Sequence, residues 1–228
     1  MMTSFLSRLS LVIAAMVFPV SLVLAAASYN IELEAANNDI RDKESLQRGA
    51  VHFANYCMAC HSAQYMRYNR VARDLGWTDE EVVEKLAFGQ RLPVDHMMSF
   101  MEDGVSESKF GIEAPDLSLM ARLKGNDYIY TFLRGYYLEN EGVWEPGNWN
   151  NKVLEGTSMP NVLESFQKHS SPEEYEQVTR DLVNFLDYIA EPNKVERWDL
   201  GWKVILFLLV LLLLTYLLKR EYWRDVKH

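Results

Sequence analysis

The sequence predicts a mainly α-helical domain followed by one membrane-spanning helix. Three observations carry this. Apolar residues recur at helical spacing in two long stretches, around 43–56 and 172–190. No stretch shows the sustained alternation of a strand, and no internal repeat is present. Residues 201–219 form an almost unbroken apolar run. Of the 228 residues, 49% are hydrophobic, enough for one packed domain with additions. The formal charge of −9 argues against nucleic acid, whose phosphates demand basic patches. It suits a basic protein partner, although the same balance also serves solubility alone.

Residues 1–27 read as a secretory signal peptide. Arg8 is the positive charge, Leu9 to Leu24 the apolar core, and Ala25-Ala26-Ala27 the cleavage pattern before Ser28. An uncleaved anchor is the alternative, and either sends residues 28–200 across a membrane. Residues 28–42 are polar, acidic and expected to be irregular. A helix is predicted from Lys43 to Tyr56, with Leu46, Ala50, Phe53 and Cys57 on one face. Gly49 beside that face either lets another helix approach closely or merely weakens this one slightly. Residues 62–70 are rich in aromatic and basic groups. Thr78-Asp79-Glu80-Glu81 has the form of a capping box and opens a helix to about Phe88. Residues 89–113 read as a long loop. Ala114-Pro115-Asp116-Leu117-Ser118 reads as an ordered turn before a short helix. Asn126 or Asp127 is expected to cap the next helix, which runs to Gly135. Residues 136–158 read as a second loop. Ser171-Pro172-Glu173-Glu174 is a strong helix start. It leads to the stripe Val178, Leu182, Phe185, Leu186 and Ile189, ended by Pro192. That helix is long enough to pack on the one before Cys57. From Gly201 to Leu218 a helix rises about 27 Å, against a hydrocarbon thickness of ~30 Å. Trp202 and Tyr216 suit the interfaces. Lys219, Arg220, Arg224 and Lys227 place the tail, 220–228, in the cytoplasm and residues 28–200 in the periplasm.

The chemistry centres on Cys57-Met58-Ala59-Cys60-His61. Two cysteines two residues apart, followed at once by histidine, form a c-type haem attachment site. Two thiols about one helical turn apart meet the two vinyl groups of one porphyrin, and the histidine then lies under the iron. A thioredoxin-like pair and a zinc knuckle are the competing readings. Zinc needs two further good ligands, and the chain has no third cysteine. Thioredoxin chemistry does not need the histidine. The second face of the iron decides between electron carrier and catalyst. Met97, Met98 and Met101 cluster in one loop. Met159 sits between breakers in Gly156-Thr157-Ser158-Met159-Pro160, where helical core spacing does not account for it. That context favours Met159. Methionine and histidine together raise the potential and fill the coordination shell, which points to electron transfer with no acid–base site.

The chain as a whole resembles the cytochrome c1 family, the haem subunits of quinol–cytochrome c reductase (cytochrome bc1) complexes. The resemblance rests on Arg48-Gly49 ahead of Cys57–Ser62, on Ala114–Ser118 followed by Arg122, and on Gly125-Asn126-Asp127-Tyr128 leading to Gly135-Tyr136. It continues through Met159-Pro160, Ala190-Glu191-Pro192 and the C-terminal span. It implies a class I cytochrome c-like haem domain with long loop insertions. It implies one haem c bound covalently to Cys57 and Cys60, with His61 and Met159 as axial ligands. Pro115 would line the pocket, Arg122 would contact a haem propionate, and Tyr128 is a further pocket residue. The implied role is an electron relay from the Rieske iron–sulfur protein to cytochrome c, beside a cytochrome b in the inner membrane. The alternative is a membrane-anchored monohaem subunit of a terminal oxidase or nitric oxide reductase, whose anchor is commonly N-terminal. Some members carry extra cysteines, which this chain lacks. Loops 89–113 and 136–158 match the family pattern poorly. Glu139, Glu141, Glu145 and Glu155 there would form an acidic docking face, or merely a solvated loop.

Overall fold

The computed structural model describes residues 31–102, 104–139 and 149–226. The signal peptide, Glu141, Glu145 and the last two residues lie outside them. Met1–Leu33 and Glu34–His228 form separate units, and everything below concerns the second.

The core is built on two helices, α1 (Lys43–His52) and the one spanning Pro172–Ala190. Asp42 caps α1, accepting from Ser45 N at 3.0 Å. Leu46, Ala50, Phe53 and Cys57 are all buried, as the sequence predicts. The helix does not continue regularly to Tyr56. Phe53–Cys57 forms a π turn, with Met58 N bonded to Phe53 O at 2.9 Å. One wide turn is too short for its period to stand apart from the α period in a sequence.

After the π turn come β1 (Ala63–Arg67), α2 (Tyr68–Leu75) and α3 (Asp79–Ala87). Thr78 and Glu81 form the expected reciprocal box on α3. The structure corrects the reading of residues 89–113 as a long loop and of the chain as without strand runs. β1 pairs antiparallel with β2 (His96–Met97). A register shift breaks the pairing and β1 buries only Ala63 and Met66, so no alternation marks it. In α2, Tyr68, Val71, Ala72 and Leu75 are a buried helical stripe ended by Gly76 in the left-handed region. The loop also holds α4 (Val105–Phe110), closed at both ends by left-handed glycines, Gly104 and Gly111.

Next follow α5 (Met120–Lys124), α6 (Asn126–Arg134), β3 (Tyr136–Leu138), β4 (Trp149–Asn151) and α7 (Glu164–His169). β3 and β4 pair antiparallel inside the segment expected to be loop. Three-residue strands are too short for a period-2 signal. Neither Asn126 nor Asp127 caps α6. Gly125 holds the cap position, and both side chains bind elsewhere: Asp127 Oδ1 accepts from Ala36 N, and Asn126 Nδ2 donates to Asn38 and Asp187.

Ser171 caps α8 (Pro172–Ala190) through Glu174 N, with Pro172 in the first turn. The predicted stripe is buried throughout. α8 crosses α1 at Gly49, where an added Cβ would lie 2.0 Å from Asp181 O. Beside the crossing Asp181 is buried and fully engaged. Arg48 Nε donates to it at 2.6 Å, Arg48 Nη2 at 3.0 Å and Ser45 Oγ at 2.6 Å. A second carboxylate, Asp187, accepts from Asn38, Asn126 and, at 2.8 Å to each oxygen, Lys194. It gathers the N-terminal strap, α6, α8 and the start of α9 (Lys194–Tyr222) around one charge. By length and composition α9 is long and apolar enough to cross a membrane.

Gly49→Ala tests the crossing. In an exposed helix this change stabilises by roughly 0.5–1 kcal/mol. Here the new methyl group meets backbone, and overpacking of this kind costs about 1–3 kcal/mol or more. Urea unfolding of the full chain should therefore show a lowered midpoint.

Candidate functional site

Cys57 closes the π turn and is buried, whereas Cys60 is half-exposed. Cys60 N and His61 N both bond to Cys57 O, at 3.1 and 2.8 Å. This tight turn sets His61 directly after the second thiol. Burial pushes the Cys57 thiol up to about 12, with a smaller push from Cys60, and burial raises Cys60 as well. A redox-active dithiol needs a lowered thiol pKa, so the thioredoxin-like alternative lacks its electrostatics. Among the described residues no three His, Cys, Asp or Glu side chains gather into a cation site. The zinc alternative finds no further ligands there.

His61 is buried at 8% exposure, and its Nδ1 lies 2.7 Å from Pro115 O. A carbonyl only accepts, so Nδ1 carries the proton and Nε2 keeps its lone pair. Burial holds the imidazole below its usual pKa, with partial relief from the Pro115 bond and the Asp116 charge. The ring is therefore neutral, as a metal ligand must be.

The carbonyl that orients His61 is itself well anchored. Asp116 Oδ1 accepts from Ser118 N and Oδ2 from Gln64 N, both at 2.9 Å. Ser118 Oγ accepts from Tyr65 N at 3.1 Å, and Leu117 N donates to Ser62 O at 2.8 Å. The Ala114–Ser118 turn is thus stitched onto the segment that follows His61.

His61 and Cys60 line an open, mainly apolar slot. Pro115, Met159 and Pro160 line it too, and Phe110 and Ile112 from the α4 region form another wall. Ser106 holds that wall, donating to Ile112 O at 3.0 Å and accepting from Ala114 N at 3.1 Å. Met159 is the methionine brought to the slot. Met97 is fully buried in the core on β2, while Met98 and Met101 are not among the lining residues. Arg122 and Tyr128 are not brought there either. Arg122 is exposed on α5, where its charge is felt by Glu191. The Tyr128 ring lies nearly parallel to Phe132, at 11°, with Lys124 Nζ 5.3 Å from its centroid.

One participant is not evident from sequence as more than part of Gly135-Tyr136. Tyr136 is buried, and its hydroxyl donates to Met159 O at 3.0 Å. Burial raises its pKa well above the usual phenol value, with partial relief from a hydrogen bond to Thr157, so it remains a donor. An aromatic next to a helix-ending glycine hints at packing, but nothing in the sequence marks which carbonyl its hydroxyl meets.

This donor set suits a c-type haem: two thiols one turn apart, a neutral imidazole with a free Nε2, and a thioether in the same apolar slot. Comparisons with known proteins agree. Residues 36–226 match the family model described as the Cytochrome C1 family. The chain is 38% identical to a cytochrome c1 of Allochromatium vinosum over 95% of this chain and 98% of that one. It is 37% identical to a Nitrosomonas europaea protein named ammonia monooxygenase gamma subunit, over 90% and 93%. That name departs from the family description, which spans the donor set and weighs more. A chain of a hyperthermophilic respiratory Complex III shares the fold, with TM-score 0.51 at 20% identity over 98% of this chain and 99% of that one.

Asp116→Ala removes two acceptors from the turn that orients His61. Hydrogen bonds to a charged acceptor contribute about 1.5–3 kcal/mol each. The variant should lose stability on that order in urea unfolding, while Gln64→Ala, which keeps its backbone donor, should not.

Proposed function

The chain belongs to the cytochrome c1 family, and from that premise we propose that it is the electron-transfer subunit of a respiratory cytochrome bc1 complex. The single observation that supports this most is the placing of His61 and Met159 in one apolar slot beside Cys60. Cys57 and Cys60 would hold one haem c through thioether bonds. His61 Nε2 and the Met159 sulfur would be the axial ligands. A haem bound this way supplies a one-electron redox centre whose potential the methionine raises.

The protein's own part is to fix donors and exclude water. Pro115 holds the histidine tautomer, Tyr136 holds the Met159 backbone, and Phe110, Ile112 and Pro160 keep the slot apolar. A filled coordination shell leaves no easy open site, which favours outer-sphere transfer over catalysis at the iron. The electron would arrive from a Rieske iron–sulfur protein and leave to a cytochrome c, with a cytochrome b oxidising quinol alongside. The chain thus serves a reductase without an acid–base site of its own. Arg122 would contact a haem propionate and Tyr128 would be a further pocket residue, although neither is among the residues lining the slot. Glu139 and Glu155 are exposed, as an acidic docking face requires, and a solvated loop requires the same.

We place the chain in the inner membrane as a single-pass protein. Residues 1–27 would be removed as a signal, 28–200 would lie in the periplasm, 201–219 would span the bilayer and 220–228 would face the cytoplasm. The apolar length of α9 and the basic run after it support this arrangement.

Met159→Leu should abolish the near-infrared sulfur-to-iron band, lower the potential and let carbon monoxide bind the ferrous haem. An unchanged band would show that another group is the ligand. Gentle purification through this chain should recover a cytochrome b and a Rieske protein. Recovery of oxidase subunits in their place would overturn the assignment to a bc1 complex.

A further inference from the structure

The loop carrying Met159 has little secondary structure of its own to hold it. Gly156, in the left-handed region and exposed, begins it, and α7 starts only at Glu164. Between them a closed ring of hydrogen bonds returns twice to one residue. The Tyr136 hydroxyl donates to Met159 O at 3.0 Å. Gln167 Nε2 donates to the backbone carbonyl of Tyr136, also at 3.0 Å. Gln167 Oε1 accepts from Asn161 Nδ2 at 2.6 Å, and Asn161 Oδ1 accepts from Leu163 N at 3.2 Å. The tripeptide Met159-Pro160-Asn161 is therefore gripped at both ends from Tyr136, directly at the first residue and through Gln167 at the third. Pro160 stiffens the middle by fixing its φ.

The ring rests on solid ground. Tyr136 and Asn161 are buried, at 3% and 7% exposure. Phe132 meets the Tyr136 ring edge-on at 5.6 Å, and β3 pairs Tyr136 with the fully buried Asn151. Asn151 in turn donates to Phe132 O at 2.7 Å, tying β4 to the end of α6. The grip on the loop is thus continuous with the helical core.

We propose that Tyr136, Gln167 and Asn161 form a clamp that positions Met159 toward the iron, so that this polar ring sets how firmly the sixth ligand is held. The proposal rests on Met159 being that ligand. These are positioning residues. None of them is a ligand, and each acts through the loop backbone. Loss of the clamp leaves the thioether in place chemically but lets the loop swing away, which opens the sixth position for part of the time.

The test uses the full, haem-loaded chain in its membrane complex, with carbon monoxide as the probe of the ferrous haem. Tyr136→Phe removes one hydroxyl and keeps the ring. Gln167→Leu cuts the other half of the clamp at a half-buried position, in case the first variant assembles poorly. Tyr175→Phe is the control, since its hydroxyl, on a half-buried side chain, donates at 2.9 Å to Leu133 O on α6 and not to the Met159 loop. With haem content unchanged, both clamp variants should raise the carbon monoxide-reactive fraction roughly tenfold, the weight of about one hydrogen bond, while the control stays within about twofold. The near-infrared band should also melt at lower temperature in the clamp variants. Clamp variants that behave like Tyr175→Phe would overturn the proposal. Met159→Leu separates the two levels. If it leaves the band intact, the ligand assignment itself fails. If it abolishes the band while the clamp variants do nothing, the clamp alone fails.

Discussion

The close crossing of α1 and α8 at Gly49 is the constraint on which the remaining geometry depends. With no side chain at that point, the backbone of one helix rests against the Asp181 carbonyl of the other. The approach brings Ser45, Arg48 and Asn184 into one polar cluster around the buried Asp181 carboxylate. A buried carboxylate is costly unless its lone pairs are engaged, and here three donors from α1 engage it. α1 then runs without a break into the π turn that carries Cys57. The depth of the attachment segment in the domain is therefore a direct consequence of how closely two helices meet about two turns earlier.

The slot is assembled from pieces far apart in sequence, and each is held by backbone hydrogen bonding. A carbonyl orients His61, a carboxylate bridges the Ala114–Ser118 turn to β1, and a phenol holds the Met159 loop. The reacting donors are few and the supporting bonds many. This division is expected where a cofactor supplies the redox chemistry and the protein supplies orientation and a dry environment.

Much of this was legible in the sequence wherever a signal runs for several turns or obeys a strict spacing. α1 and α8 show sustained periods, α9 carries an almost unbroken apolar run, α3 opens on a capping box, and Cys57, Cys60 and His61 follow a fixed spacing. Met159 stands out because its neighbours are breakers. Short elements were not legible. β1 is interrupted by a register shift, β2 to β4 have two or three residues each, and α4 is a turn and a half between glycines. The π turn differs from an α turn by one hydrogen-bond offset. The roles of Asn126, Asp127 and Tyr136 depend on which distant group their polar atoms reach. A residue's identity tells that it can donate or accept, and only the fold tells to whom.

The junction at Asp187 has a mechanical meaning. α9 has 29 residues and rises about 43 Å, more than the ~30 Å of a hydrocarbon core. It is thus longer than a bilayer core requires, and its first turns are tied to the domain. Lys194 binds Asp187, Asn193 accepts from Arg70, and Arg41 reaches Asp199 while lying 5.8 Å from the Trp198 ring. A stalk fastened at several points on its base transmits tilt and does not act as a swivel. The start of α9 therefore continues the domain and is not joined to it through a free linker.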